Sequence, residues 1–133
     1  MRVMIDTNII ISVILRPKGR AAQSFFKAIC PPYQPLVCDY VVEELRQKIQ
    51  EKFPDCVKEL NDFLADILPL IQVVMTPKTR LQSEDTIRDP KDQPVLRAAL
   101  NAHADLLLTG DKDFLEASLS APRVVSVAEF LDM

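Results

Sequence analysis

Several residue types are scarce or missing, and each scarcity closes a route. The 133 residues include no tryptophan, two glycines and one histidine. Two glycines, Gly19 and Gly110, cannot build a GxGxxG turn or a P-loop, so a glycine-rich phosphate cradle is excluded. A lone histidine, His103, offers no acid–base pair and is expected to be structural. Three cysteines, Cys30, Cys38 and Cys56, are an odd number without a CxxC pair. They argue against a disulfide framework and against a zinc site, and are expected to be reduced and mostly buried thiols. Long apolar runs are also missing. The longest, Ile9 to Leu15, is broken by Ser12 and is too short to span a bilayer. Asp6 and Asn8 interrupt the stretch where a signal peptide needs continuous apolar sequence, and no small-residue cleavage site follows. A cytoplasmic protein without a membrane partner is the expectation. Positive charge is in deficit too: the net charge is −3 and the pI about 5.1. No global field draws in a polyanion, so any such partner must be held by local basic residues or bound cations.

What is present is a core. Hydrophobic residues make up 48% and charged residues 26%, enough for one domain with a buried interior. Arg2 to Asp6 reads as a strand and Thr7 to Leu15 as a helix, broken by Arg16-Pro17-Lys18-Gly19. Arg20 to Cys30 is a second helix with Ala22, Phe25, Phe26 and Ile29 on one face. After Pro31-Pro32 comes a short strand, Leu36 to Cys38. Asp39 is placed to cap a helix from Tyr40 to about Phe53. Pro54-Asp55 opens a helix whose Val57, Leu60, Leu64, Ile67 and Ile71 form an apolar stripe. Its acidic side, Asp55, Glu59, Asp62 and Asp66, is expected to face solvent. Gln72 to Met75 is a strand, Thr76 to Arg88 a polar loop, and Asp89-Pro90 starts a helix through Ala102. Pro94 is expected in its first turn, where proline is tolerated. Asp105 to Thr109 is an apolar strand, Lys112 to Leu119 a helix, and Arg123 to Val125 a last strand. Ser126 to Glu129 forms a capping box opening the final helix. Alternating strands and helices, with strands too apolar to face water, predict a three-layer α/β/α domain around a parallel sheet of four to five strands.

Acidic residues recur where such a fold places ligands, at the carboxyl ends of the strands. Asp6 ends the first strand. Asp111 lies just past Leu106-Leu107-Leu108-Thr109, with Asp113 beyond it, and Asp89 and Asp92 open the preceding helix. Glu43 and Glu44 lie early in the helix after Cys38. Each alone has a duller role, as a helix cap or as solvated surface. Together they are costly: two carboxylates about 4 Å apart repel by roughly 4 kcal/mol at an effective dielectric near 20. A hard divalent cation such as Mg²⁺ or Mn²⁺ offsets that cost and also binds phosphate oxygens. Periodicity does not choose between Glu43 and Glu44, which flank the Val42, Leu45 and Ile49 face about equally. Asn8 removes one alternative: phosphatases that form a phosphoaspartyl intermediate need a second aspartate at that position. A receiver-type signalling domain would need a phosphoacceptor aspartate and a placed lysine, an arrangement that is absent.

Strand-DTN, a helix with EEL, DPKDQPVLRAAL and ADLLLTGDKDF occur in an order that resembles the PIN-domain nucleases. The resemblance runs over essentially the whole chain and is nearest to the single-domain toxins of toxin–antitoxin pairs. It implies an acidic, metal-binding quartet of Asp6, Glu44, Asp92 and Asp111. Glu44 is favoured because the family pattern sets the acid directly before a leucine, here Leu45. Thr7 or Asn8 and Thr109 would support the quartet, Asp89 would assist, and Asp113 would be a fifth participant or a cap. The implied activity is Mg²⁺- or Mn²⁺-dependent hydrolysis of an RNA phosphodiester, leaving a 5′-phosphate and a 3′-hydroxyl. The implied partners are RNA, a cognate antitoxin, and further copies in a homodimer or higher homo-oligomer. The acidic helix face is then an alternative docking surface. Arg16, Lys18 and Arg20, with Lys91 and Lys112, are the candidate phosphate contacts, and Tyr33, Tyr40 and Phe114 the candidate stacking aromatics. The competing reading is a PIN-like scaffold that binds RNA or a partner protein without cutting.

Overall fold

A computed structural model describes residues 1–133. Five strands form one parallel sheet in the order β3-β2-β1-β4-β5. They are β1 (Arg2–Ile5), β2 (Gln34–Cys38), β3 (Gln72–Val74), β4 (Leu106–Leu108) and β5 (Arg123–Val125). The helices are α1 (Thr7–Leu15), α2 (Arg20–Ala28), α3 (Asp39–Lys52), α4 (Val57–Ile67), α5 (Gln93–Asn101), α6 (Lys112–Leu115) and α7 (Val127–Asp132). The chain moves from β1 outward through β2 to β3, then returns across the sheet to β4 beside β1. Right-handed crossovers put the helices before that return on one face and α5 on the other. The α/β/α architecture of the sequence reading holds, with five strands. β1 and β4 explain why: Val3, Met4, Ile5, Leu106, Leu107 and Leu108 are all buried, as central parallel strands require. No helix is long and apolar enough to cross a membrane.

Several expected elements shift for identifiable reasons. α2 ends at Ala28, and Phe26 is 45% exposed although its spacing predicts a place on the buried face. Adjacent helical residues diverge by about 100°, so Phe25 fills the core and Phe26 meets it edge-on from outside, ring centroids 5.7 Å apart. Asp39 does not cap α3 but begins it. Its carboxylate instead accepts from Thr76 N at 2.9 Å and Thr76 Oγ1 at 2.6 Å, tying the segment after β3 to the head of α3. α5 starts at Gln93, not at Pro90, and Asp89 to Asp92 form a turn. A helix begun at Pro90 would need the absent Pro94 N–H for its ladder; begun at Gln93, it has Pro94 where no donor is required. α6 stops at Leu115, short of Leu119, and α4 is entered and left through 3₁₀ turns at Pro54–Cys56 and Leu68–Leu70. The acidic residues of α4 are exposed, as expected. The polar loop holds a 3₁₀ turn, Gln82–Thr86, and a buried ion pair that its composition did not announce.

The cysteines are all free, but only Cys38 is buried; Cys56 is half-buried and Cys30 exposed. Burial pushes the Cys38 thiol up to about 11, so it stays protonated and unreactive near neutrality. Alkylation with iodoacetamide at pH 8 is expected to modify Cys30 first and Cys38 only after denaturation. Mass spectrometry showing early Cys38 modification of the native protein would contradict this core.

Candidate active site

The reversal of strand order falls between β1 and β4, the point where an open parallel sheet leaves a crevice at its carboxyl edge. Ile5 pairs with Leu108, and Asp6 N donates to Leu108 O at 3.1 Å, so Asp6 and Thr109 emerge side by side. Asp6 Oδ1 accepts from Thr7 N at 2.9 Å, and Asp6 Oδ2 accepts from Thr109 Oγ1 at 2.7 Å. Thr109 Oγ1 accepts in turn from Asp111 N at 3.0 Å, and Asp111 Oδ1 accepts from Asp113 N at 2.9 Å as the cap of α6. Asp6 is therefore both a helix cap and the start of a bonded chain that fixes the loop after β4. The supporting place expected for Thr109 has a definite geometry, directly beneath Asp6.

Asp6, Asn8, Glu43, Glu44, Asp89, Asp92 and Asp111 line one cleft of about 670 Å³. α3 supplies the glutamates, and the turn before α5 supplies Asp89 and Asp92. Glu43 is exposed, whereas Glu44 is half-buried and faces Lys48 Nζ at 3.4 Å. It is the Glu44 charge that acts on Asp6. Asp89, Asp92 and Asp113 each bring one carboxylate oxygen within 4.8 Å of the other two. Asp113 is also paired with Arg88 at 3.2 Å.

The electrostatics follow from this crowding. Burial is the largest influence on Asp6 and raises its proton affinity. The bonds from Thr109 and Thr7 oppose the rise, and the Glu44 and Asp111 charges add to it, leaving Asp6 at about 6. Asp92 is pushed well above the ordinary carboxylate range, first by burial, then by the charges of Asp6 and Asp111, by a hydrogen bond shared with the Asp111 carboxylate, and by the charge of Asp89. Its Oδ2 is buried and has no hydrogen-bond partner, and the Thr7 hydroxyl is likewise unpartnered. A buried acceptor without a donor is costly. Carboxylate oxygens alone, one of them unsatisfied, are the donor set of a hard divalent cation. The residues present fit such an ion.

Other expected residues are elsewhere. Arg16, Lys18, Arg20 and Lys112 are exposed and outside the cleft wall, while Lys91 is part of it. His103 is exposed just past α5, at φ 55°. Of the aromatic candidates, Phe114 is core and Tyr33 packs on Phe130 at 5.0 Å; only Tyr40 is an exposed residue of the cleft. The sequence reading missed Lys48 and Lys52, which line it. Their four-residue spacing from Glu44 along one helix was the available signal.

The PIN domain family matches residues 2–113. No curated protein matches the sequence. Solved structures do resemble the fold. VapBC2 from Rickettsia felis, bound to a DNA fragment from their promoter, is 14% identical with a TM-score of 0.72, covering 95% of this chain and 98% of that one. DNA-bound VapBC from Salmonella typhimurium is 14% identical with a TM-score of 0.69, over 96% and 98% of the two chains. FitAcB from Neisseria gonorrhoeae is 20% identical with a TM-score of 0.69, over 95% and 98%. Both the span of the match and the arrangement of acids around β1 and β4 lead to one assignment: this chain belongs to the PIN domain family.

Proposed function

We propose that the protein is a Mg²⁺- or Mn²⁺-dependent endoribonuclease and the toxin of a toxin–antitoxin pair, working in the cytoplasm. The observation that carries this reading is Asp92, a buried aspartate with an unpartnered Oδ2 set among the charges of Asp6, Asp111 and Asp89. Asp6, Glu44, Asp92 and Asp111 would hold the cation, with Asp89 and Asp113 beside them. When bound, such an ion neutralises the cluster and polarises a phosphate oxygen. The remaining work belongs to the chain. Thr7 N and Thr109 Oγ1 hold the Asp6 carboxylate in place, so it needs no reorganisation during reaction. Lysines on the cleft wall bind flanking phosphates. No serine, threonine, cysteine or histidine lines the cleft, which favours water as the nucleophile. Its oxygen bonds to phosphorus as the bond from phosphorus to the 3′ oxygen breaks, and a proton lost by the water is balanced by one gained at the 3′ oxygen, giving a 5′-phosphate and a 3′-hydroxyl. The toxin role is supported by the sequence resemblance and by the similar fold found in DNA-bound VapBC. An antitoxin and a homodimer or higher homo-oligomer are the partners proposed with it.

The test uses purified protein free of any antitoxin. Mixed RNAs are expected to be cut into 5′-phosphorylated fragments with Mg²⁺ or Mn²⁺ and to survive in EDTA. RNA left intact under both conditions would overturn the nuclease reading in favour of the non-cutting scaffold. A binding measurement is independent of turnover. Either cation is expected to raise the melting temperature, by about 2.7 kcal/mol of stability at a hundredfold excess over Kd. Asp92→Asn is expected to blunt that rise, and a full response in the variant would remove Asp92 from the site.

A further inference from the structure

We infer that the cleft-facing stripe of α3 is a track for single-stranded RNA: a base stacks on Tyr40, the scissile phosphate lies at Glu44, and two successive phosphates lie on Lys48 and Lys52. The inference rests on the nuclease reading above and deepens it. Tyr40, Glu44, Lys48 and Lys52 recur every four residues and all line the cleft. Each step advances about 6 Å along the helix axis, comparable with the spacing of successive phosphates in an extended single strand. The row therefore changes character in an order that suits such a strand, from aromatic to acid to two bases.

Charge explains why the bases lie where they do. Seven carboxylates and three lysines line the cleft, so its inner end repels a polyanion unless a cation is present. Attraction on an acidic protein must come from a local row, and Lys48 and Lys52 provide one that leads straight to the acids. Lys48 is held by Glu44 at 3.4 Å, yet its side chain is 33% exposed. A partly exposed i,i+4 pair is weak, so this lysine exchanges partners readily when a phosphate arrives. Glu51 opposes the strand from the adjacent row, but it is exposed and its charge is screened by solvent. At the other end, Tyr40 is 47% exposed and is the one aromatic side chain in the cleft, so an unstacked base finds a platform there. Paired bases are already stacked and cannot use it. The Arg16, Lys18 and Arg20 loop is more basic but is not part of the cleft wall.

Binding of a fluorescent, unstructured RNA dodecamer to the Asp6→Asn protein tests this without cleavage. In that background, Lys48→Ala with Lys52→Ala is expected to weaken binding about 10- to 100-fold. It should also lower the slope of log K against log salt by about 1.4, at about 0.7 per phosphate released from a single strand. Tyr40→Ala is expected to lose about 5- to 150-fold, and Tyr40→Phe to retain most of the affinity. A duplex of the same sequence is expected to bind more weakly and to be indifferent to Tyr40. Lys58→Ala, on exposed α4, controls for the lost charge, and melting curves confirm that each variant is folded. Unchanged affinity and salt slope in the lysine double variant would overturn the track. So would a full loss of binding from Arg16, Lys18 and Arg20 replacement alone, or duplex binding that needs Tyr40. Metal-dependent cutting with unaffected binding by these variants defeats the track and leaves the nuclease. Track-dependent binding without cutting by the wild type does the reverse.

Discussion

Asp6→Asn is expected to reduce RNA cleavage by at least about 10²- to 10³-fold while making the metal-free protein more stable at neutral pH. The two effects have one source. Asp6 is buried, and its proton affinity is raised to about 6 against an ordinary value of 3.8. The asparagine keeps the geometry: its carbonyl oxygen accepts from Thr7 N, and its amide donates to the second lone pair of Thr109 Oγ1. What it removes is the charge. An acid whose proton affinity is raised by folding stabilises the fold most below its unfolded pKa. That contribution is lost as pH rises through the folded value. Without metal, the wild type should therefore lose stability between about pH 4 and pH 6, by on the order of 3 kcal/mol from Asp6. Asp92, shifted the same way, extends the decline to higher pH.

Asp6→Asn should flatten the lower part of this curve, and denaturant melts at pH 4.5 and pH 7.5 without metal would measure it. Equal pH dependence in the two proteins would mean that the Asp6 carboxylate is not strained by its surroundings. Saturating Mg²⁺ or Mn²⁺ should reverse the order, because the cation stabilises only the charged form. A site that is unfavourable without its ion and favourable with it is the expected signature of carboxylates retained for chemistry.

The strand-end aspartates and the DPKD and TGDKD stretches were legible in the sequence because chain order and strand ends are local properties. Glu44 against Glu43 was not, since both lie at similar angles on α3. Only the packing of that helix against α1 and β2 turns one of them toward Asp6. Lys48 and Lys52 were passed over for a similar reason. A lysine on an amphipathic helix looks like solvated surface until a second wall, here Asp89 to Pro94, makes it one side of a cleft. The start of α5 at Gln93, not Pro90, has its cause in the sequence, in Pro94 four residues after Pro90. The polar stretch 76–88 hid more. Its composition matches a loop, yet Glu84 is fully buried beneath it. No periodicity marks a single buried acid whose partner, Arg97, lies thirteen residues away on another element.

Glu84→Ala is consequently expected to be the most destabilising substitution outside the apolar core. Glu84 Oε1 accepts from Arg97 Nη2 at 2.8 Å, and Oε2 accepts from Arg97 Nε at 3.0 Å and Leu81 N at 2.5 Å. Arg97 Nη1 donates to Pro77 O at 2.9 Å. This clip ties Pro77 and the 3₁₀ turn at Glu84 to α5, the helix whose head carries Asp92. The Arg97 bonds lower the proton affinity of the Glu84 carboxyl, which favours its charged, paired form. Removing the carboxylate leaves a guanidinium with little access to water, at a cost of about 3–5 kcal/mol. Against a total of roughly 5–15 kcal/mol for a domain, that is a large fraction. Urea unfolding would measure it, and a loss below about 1 kcal/mol would show that the pair is effectively solvated. Glu84→Met combined with Arg97→Met is expected to recover much of the loss, since neither charge is then buried alone. The double variant separates stability from placement. If the clip only contributes stability, the recovered protein should take up Mg²⁺ with wild-type affinity. If the clip also positions the turn from Asp89 to Asp92, stability should return while the metal-induced rise in melting temperature stays reduced.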